Sequence, residues 1–89
     1  HLEALLFAAR GALERLSRRL EARGLACRRL QISLQLEPDG YDERALELPA
    51  PTREVRTLLT LLRLELQDRT PGAPVRAFAL TARPDRGLT

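Results

Sequence analysis

The chain has no lysine and very few aromatic residues, and each shortage excludes something. All 15 basic side chains are arginine. Arginine suits bidentate contacts to phosphate, but the equally heavy use of leucine and alanine reads more simply as the codon bias of a GC-rich genome. Hydrophobic residues make up 44% of the chain and aromatics only 3%, so the core must be built of leucine. Little ring surface remains for stacking nucleobases. Cys27 is the single cysteine, which excludes an internal disulfide and fits a reducing compartment. Its neighbours Arg28 and Arg29 can lower a thiol pKa. A lone cysteine entering a strand nevertheless reads as a small packed hydrophobe.

Long apolar runs are absent as well. Residues 2–9 carry Glu3 and are followed by Arg10, too short and too charged for a membrane span or a signal peptide. There is no glycine-rich phosphate loop and no acidic cluster at metal-binding spacing. Asp39, Asp42 and Glu43 gather at a turn and read as solvated. Ser17 and Ser33 have no histidine or lysine partner, so nucleophilic catalysis has no constellation. His1 is terminal, the trace of a tag, and carries no role. No catalytic residue, metal ligand or cofactor is expected, and the chain is not expected to be an enzyme.

What is present is periodicity. Leu30, Ile32, Leu34 and Leu36 alternate with Arg29, Gln31, Ser33 and Gln35. A period of two predicts a half-buried strand from about Arg28 to Glu37. Before it, Leu2, Leu5, Leu6, Ala9, Leu13, Leu16 and Leu20 form one helical stripe over residues 2–23. Gly24 stands where the stripe stops, suited to a left-handed cap with Leu25 folding back on Leu20. Pro38-Asp39-Gly40 predicts a turn. A weaker strand follows over residues 41–48, with Leu46 and Leu48 inward, Glu43, Ala45 and Glu47 outward, and Pro49 and Pro51 ending it. Thr52 is the expected N-cap of a second helix, with Glu54 in its first turn. Val55, Leu58, Leu59, Leu62 and Leu66 make its stripe. Thr70-Pro71-Gly72 breaks it, and residues 75–82 predict a third strand with Phe78 and Leu80 inward. Arg83 to Thr89 shows no periodicity and reads as a tail.

Eighty-nine residues make one domain, placed at residues 1–83, with 84–89 as a flexible tail. The fold class is α+β: two helices on one face of a small antiparallel sheet, in the order α-β-β-α-β. The chain opens inside a helix, so it reads as a piece of a larger protein whose first strand is missing. Net charge is +3 and the pI about 10.4, basic enough to tolerate an anionic partner. The open sheet face should carry Arg29, Gln31, Ser33 and Gln35 beside Ala77, Ala79 and Thr81, without aromatics. It can lie against a phosphate backbone or against water, and Glu43 and Glu47 on it would repel phosphates.

Leu5-Leu6-Phe7-Ala8-Ala9-Arg10, Leu13-Glu14-Arg15-Leu16, Arg23-Gly24-Leu25 and Arg28-Arg29-Leu30 resemble the little-finger domain of Y-family DNA polymerases. Pro51-Thr52-Arg53 with the leucine-rich second helix, and Pro74-Val75-Arg76-Ala77-Phe78-Ala79-Leu80, continue the likeness, which is greatest to the ImuB-like branch. The resemblance implies a β-α-β-β-α-β parent domain in a DNA-directed nucleotidyltransferase or an inactive relative, whose catalytic palm is not in this chain. It implies sequence-independent contact with duplex DNA in repair and translesion synthesis, in the bacterial cytoplasm at the nucleoid. The expected DNA contacts are Arg28, Arg29, Gln31, Ser33, Gln35, Arg76, Thr81 and Arg83. Expected partners are the duplex backbone, the other polymerase domains and repair-complex proteins, with no membrane. Residues 85–89 lack the glutamine and aromatic of a clamp-binding peptide.

The alternative is a protein-interaction or dimerisation module using the sheet edge and a shoulder of Leu61 and Leu64. The bare edge also predicts a dimer produced by truncation. A small-ligand regulatory domain has no polar pocket signature behind it.

Overall fold

A computed structural model describes residues 2–86. His1 and the last three positions of the expected tail lie outside the described residues. Helix α1 spans Leu2–Ala22, strand β1 Ala26–Leu36, β2 Tyr41–Thr52, helix α2 Val55–Asp68 and β3 Val75–Asp85. The sheet has the order β2-β1-β3, antiparallel at both junctions. Both helices lie on one face, α1 against α2, β1 and β3, and α2 above β2. The α+β class and the α-β-β-α-β order are as the periodicities indicated.

The central strand explains the core. With a neighbour on each side, β1 can bury one face completely, and Cys27, Leu30, Ile32 and Leu34 are buried. Leu6, Ala9, Leu13, Leu16 and Leu20 of α1 and Leu58, Leu62 and Leu66 of α2 close over them. The outer strands bury less. Leu46, Leu48, Phe78 and Leu80 point inward as expected but are only partly covered. Each fully buried leucine contributes about 2 kcal/mol of transfer free energy, which suits a core without ring stacking.

Helix α1 ends as a Schellman motif. The Leu25 amide donates to the Leu20 carbonyl at 2.8 Å and the Gly24 amide to the Glu21 carbonyl at 3.0 Å. Gly24 holds φ +66°, a conformation costing a side-chain-bearing residue about 1 kcal/mol. The Ser17 hydroxyl then donates to the Arg53 carbonyl at 2.7 Å, and the Arg53 guanidinium donates to the Leu25 carbonyl at 3.1 Å. These bonds tie α1 to the connection between β2 and α2.

Several boundaries differ from the sequence reading. Pro49 and Pro51 do not end β2, which runs to Thr52. Arg29 lies opposite Glu47 and Cys27 opposite Thr52, so residues 48–51 swing out of the ladder. On an edge strand a proline in such an irregularity leaves no amide unpaired. Thr52 is not the N-cap of α2. Glu54 holds that position without a side-chain cap, and the Thr52 hydroxyl accepts the Glu54 amide at 3.1 Å. Strand β3 continues through Arg83, Pro84 and Asp85 because β1 offers Arg29, Cys27 and Ala26 as partners. The sequence did not show this because Arg83, Pro84 and Asp85 are polar or lack an amide N–H, although they pair with β1 up to the buried Cys27 and Ala26.

The inner face of β2 also holds a charge. Arg44 is buried, with its side chain 3% exposed. Its Nη2 donates to Asp42 Oδ2 at 2.7 Å and its Nε to Asp42 Oδ1 at 3.2 Å, a two-pronged contact. Its Nη1 lies 3.5 Å from the Glu65 carboxylate and donates to the Glu65 carbonyl at 3.4 Å. Arg69 reaches the same carboxylate at 3.3 Å. The Arg44 hydrogen bond holds the Asp42 carboxyl below its ordinary range.

Replacing Arg44 by alanine strands the partly buried Asp42 carboxylate, leaves Glu65 to Arg69 alone, and is expected to cost about 3 kcal/mol, read by urea unfolding. The pH dependence follows from Asp42. Its folded pKa lies below the unfolded one, so its contribution is complete above the ordinary aspartate range and disappears as pH falls through the folded value. Unfolding series from about pH 6 down to about 2 should show a shallower acid loss in Arg44→Ala than in the parent. Equal acid slopes would remove Arg44 as the source of the coupling.

Candidate nucleic-acid interface

The face of the sheet turned away from the helices is a grid fixed by register. Gln35 lies between Tyr41 and Ala77, and Ser33 between Glu43 and Ala79. Gln31 lies between Ala45 and Thr81, and Arg29 between Glu47 and Arg83. The alternation of β1 that buries Leu30, Ile32 and Leu34 therefore raises Arg29, Gln31, Ser33 and Gln35 together. Alanines and small polar residues keep the middle low. An open depression of about 310 Å³ lies there, lined by Gln31, Ser33, Glu43, Ala45, Ala79 and Thr81 among others.

Of the sequence-predicted contacts, Arg29, Gln31, Ser33, Gln35, Thr81 and Arg83 share this face in register. Arg28 and Arg76 are exposed but stand outside the ladder. The register shifts between Cys27 and Arg29, and again between Gln35 and Leu36, where Arg76 has no opposite residue. A bulge lets an extra side chain project beside its neighbour. Arg28 thereby joins Arg29 and Arg83 at one end, and Arg76 stands at the other.

The acidic residues lie along β2. The Arg29 guanidinium is engaged by the Glu47 carboxylate. The Ser33 hydroxyl donates to Glu43 at 3.0 Å. The face is therefore divided, acidic along β2 and basic or neutral along β3. Two expected contacts, Arg29 and Ser33, already have partners within the protein. Arg28, Arg76 and Arg83 make no ion pair with a carboxylate among the described contacts.

Sequence reasoning missed two features. The face carries an aromatic, against the expectation of none: Tyr41 is 66% exposed and continues the outward parity of Glu43, Ala45 and Glu47. That parity was the signal that could have found it. Arg44 faces inward by the same parity, and only its position between Asp42 and Leu46 could have shown it. Cys27 is buried and its Sγ donates to the Arg29 carbonyl at 3.3 Å. Burial raises its thiol pKa, so the neighbouring arginines do not activate it.

The proposed interaction shoulder is uneven, with Leu64 exposed and Leu61 half-buried. Elsewhere, Arg63 of α2 pairs with Glu3 of α1 at 2.6 Å on the helical side. An apolar groove of about 540 Å³ lies near the start of β3, lined by Leu2, Leu5, Ala8, Pro71, Val75 and Phe78 among others.

The two-helix, three-strand arrangement has the order of the β-α-β-β-α-β domain implied by the resemblance, less its first strand, and leaves one polar sheet face bare. No curated protein matches the chain at a significant level. The model of the impB/mucB/samB family C-terminal domain, however, matches residues 1–83, nearly everything that folds here. With the match reaching into all five elements, the chain belongs to the impB/mucB/samB family C-terminal domain, the little-finger domain of ImuB-like Y-family polymerases.

Proposed function

We propose that this domain holds duplex DNA by its phosphates through the open sheet face, without reading sequence. Membership makes it an accessory C-terminal domain, not the catalytic part, of a polymerase-like protein in DNA damage tolerance. The observation that carries the reading is the alignment of Arg29 with Arg83, beside the bulged Arg28. Like charges directly opposite in a sheet are destabilising. Glu47 offsets one of the three charges gathered at this end, and the others are open to an anion that rests there.

The floor of the face supports the same partner. Gln31, Gln35 and Thr81 offer donors above low alanines, and side chains of this kind position a duplex by its sugar-phosphate backbone. Arg76 offers a further contact at the far end. In this reading Glu43 and Glu47 push the duplex toward β3, and Glu47 withholds Arg29. The domain then acts beside the other domains of its parent chain, in the bacterial cytoplasm at the nucleoid. A protein-interaction role rests on less, the bare β3 edge and the single exposed Leu64.

Arg28, Arg76 and Arg83 should displace about three counterions, giving a log–log salt slope near −2.7 and a micromolar or weaker Kd at physiological salt. Fluorescence anisotropy across a salt series measures both. Glu47→Gln frees Arg29 and should steepen the slope to about −3.6, and adding Arg29→Gln should return it. No binding at low salt would sink the DNA reading. Binding with the same slope in Glu47→Gln would sink only the restraint on Arg29.

The face presents no cluster of paired base readers, so unrelated duplexes should compete equally for a bound probe. A preference of about a hundredfold for one sequence, roughly 2.7 kcal/mol, would require base readout and contradict the reading.

A further inference from the structure

We propose that Tyr41 is a stacking platform for an unpaired nucleobase, which makes the open face prefer duplex DNA with a single-stranded extension over blunt duplex. The proposal deepens the phosphate reading and rests on the same face. Tyr41 is the chain's one tyrosine, and there is no tryptophan. Of the two phenylalanines, Phe78 packs toward the core and Phe7 lies on α1. Tyr41 alone puts a ring on the sheet face. It stays 66% exposed, although burial would recover much of its apolar area.

Its row is suited to a base. Tyr41, Gln35 and Ala77 lie side by side across the three strands. Ala77 is short, leaving space above β3, and the Gln35 amide offers both a donor and an acceptor to a base edge. The exposed Arg76, bulged next to Ala77, can hold the adjoining phosphate. Within a duplex each paired base has both faces in the stack and only the terminal pair exposes one, so beyond the duplex end an unpaired base presents the accessible π-face. Gln35 beside the ring and Glu43 two residues along the same strand give it polar neighbours, which favours a nucleotide over an apolar protein surface.

The two ends of the face then divide the work. The arginines at 28, 29 and 83 gather at one end and Tyr41 at the other. Along β1 the rise from Arg29 to Gln35 is about 20 Å. At the duplex rise of about 3.4 Å per nucleotide that is roughly six steps, and fewer where an unpaired strand is extended. A duplex held at the arginine end can therefore send its unpaired continuation to Tyr41.

The test compares one blunt duplex with the same duplex carrying an extension of about six nucleotides. The extended DNA should bind at least about fivefold tighter, the lower limit for one stacked base. Tyrosine fluorescence, which comes from Tyr41 alone, should be quenched on saturation with the extended DNA. Tyr41→Leu should erase the preference and Tyr41→Phe should keep it, with circular dichroism confirming that both fold. A preference that survives in Tyr41→Leu, or fluorescence unchanged at saturation, overturns the platform. Should the blunt duplex bind and the extension add nothing, the platform falls and the phosphate reading stands. Should only the extended DNA bind and quench, the platform stands and duplex binding by phosphates falls. Binding by neither overturns both.

Discussion

The fold depends on the position of β1 between two neighbours. A central strand has its backbone amides and carbonyls engaged on both edges, so its two faces can take opposite characters without leaving a polar group unpaired. One face of β1 is buried under the leucines of both helices. The other face is left to the solvent side, since both helices pack on the first. That separation aligns Arg29, Gln31, Ser33 and Gln35, and a register slip by one residue would exchange the leucines with them.

Arginine serves the domain in two electrostatic settings. Arg44 lies among Asp42, Glu65 and the final turn of α2, where desolvation is offset by a two-pronged carboxylate contact. It fixes the end of β2 against α2 and is withdrawn from any external anion. Arg28, Arg76 and Arg83 occupy exposed positions at bulges or at the end of an edge strand. Arg28 and Arg76 project from the bulges and Arg83 from the ladder's outer face, where a bulky anion can reach them. Arg29 belongs to both settings: it is on the exposed face but is engaged by Glu47.

Much of this was legible in the sequence, for physical reasons. Both helices and β1 bury a full stripe or face, so their periodicity is strong. The cap at Gly24 was legible because positive φ selects glycine. Strand β2 was less legible because it is an edge. Its inner face mixes Asp42 and Arg44 with Leu46 and Leu48, and a charge facing inward breaks the pattern that would reveal it. Prolines at 49 and 51 looked like a terminus, since sequence does not show that the strand has a free side. The candidate contacts were legible as outward residues of β1 and β3. The pairings of Glu47 with Arg29 and of Glu43 with Ser33 were not, because they depend on the register that the turn after β1 sets, and the turn signal in the sequence does not fix which residues end opposite each other.

If the face holds DNA as proposed, its own carboxylates keep that hold weak, and for an accessory domain that is consistent. A domain joined to others on the same nucleic acid meets its site at an effective concentration in the millimolar range, set by the connecting chain. Under that condition a contact of micromolar or weaker intrinsic affinity is nearly always made, yet it can be released one phosphate at a time as the duplex moves. Strong binding would hinder such movement. Glu43 and Glu47 therefore need not oppose the domain's role. In the proposed reading, their contacts with Ser33 and Arg29 limit the grip of the face, and Arg28, Arg76 and Arg83 set where the backbone lies.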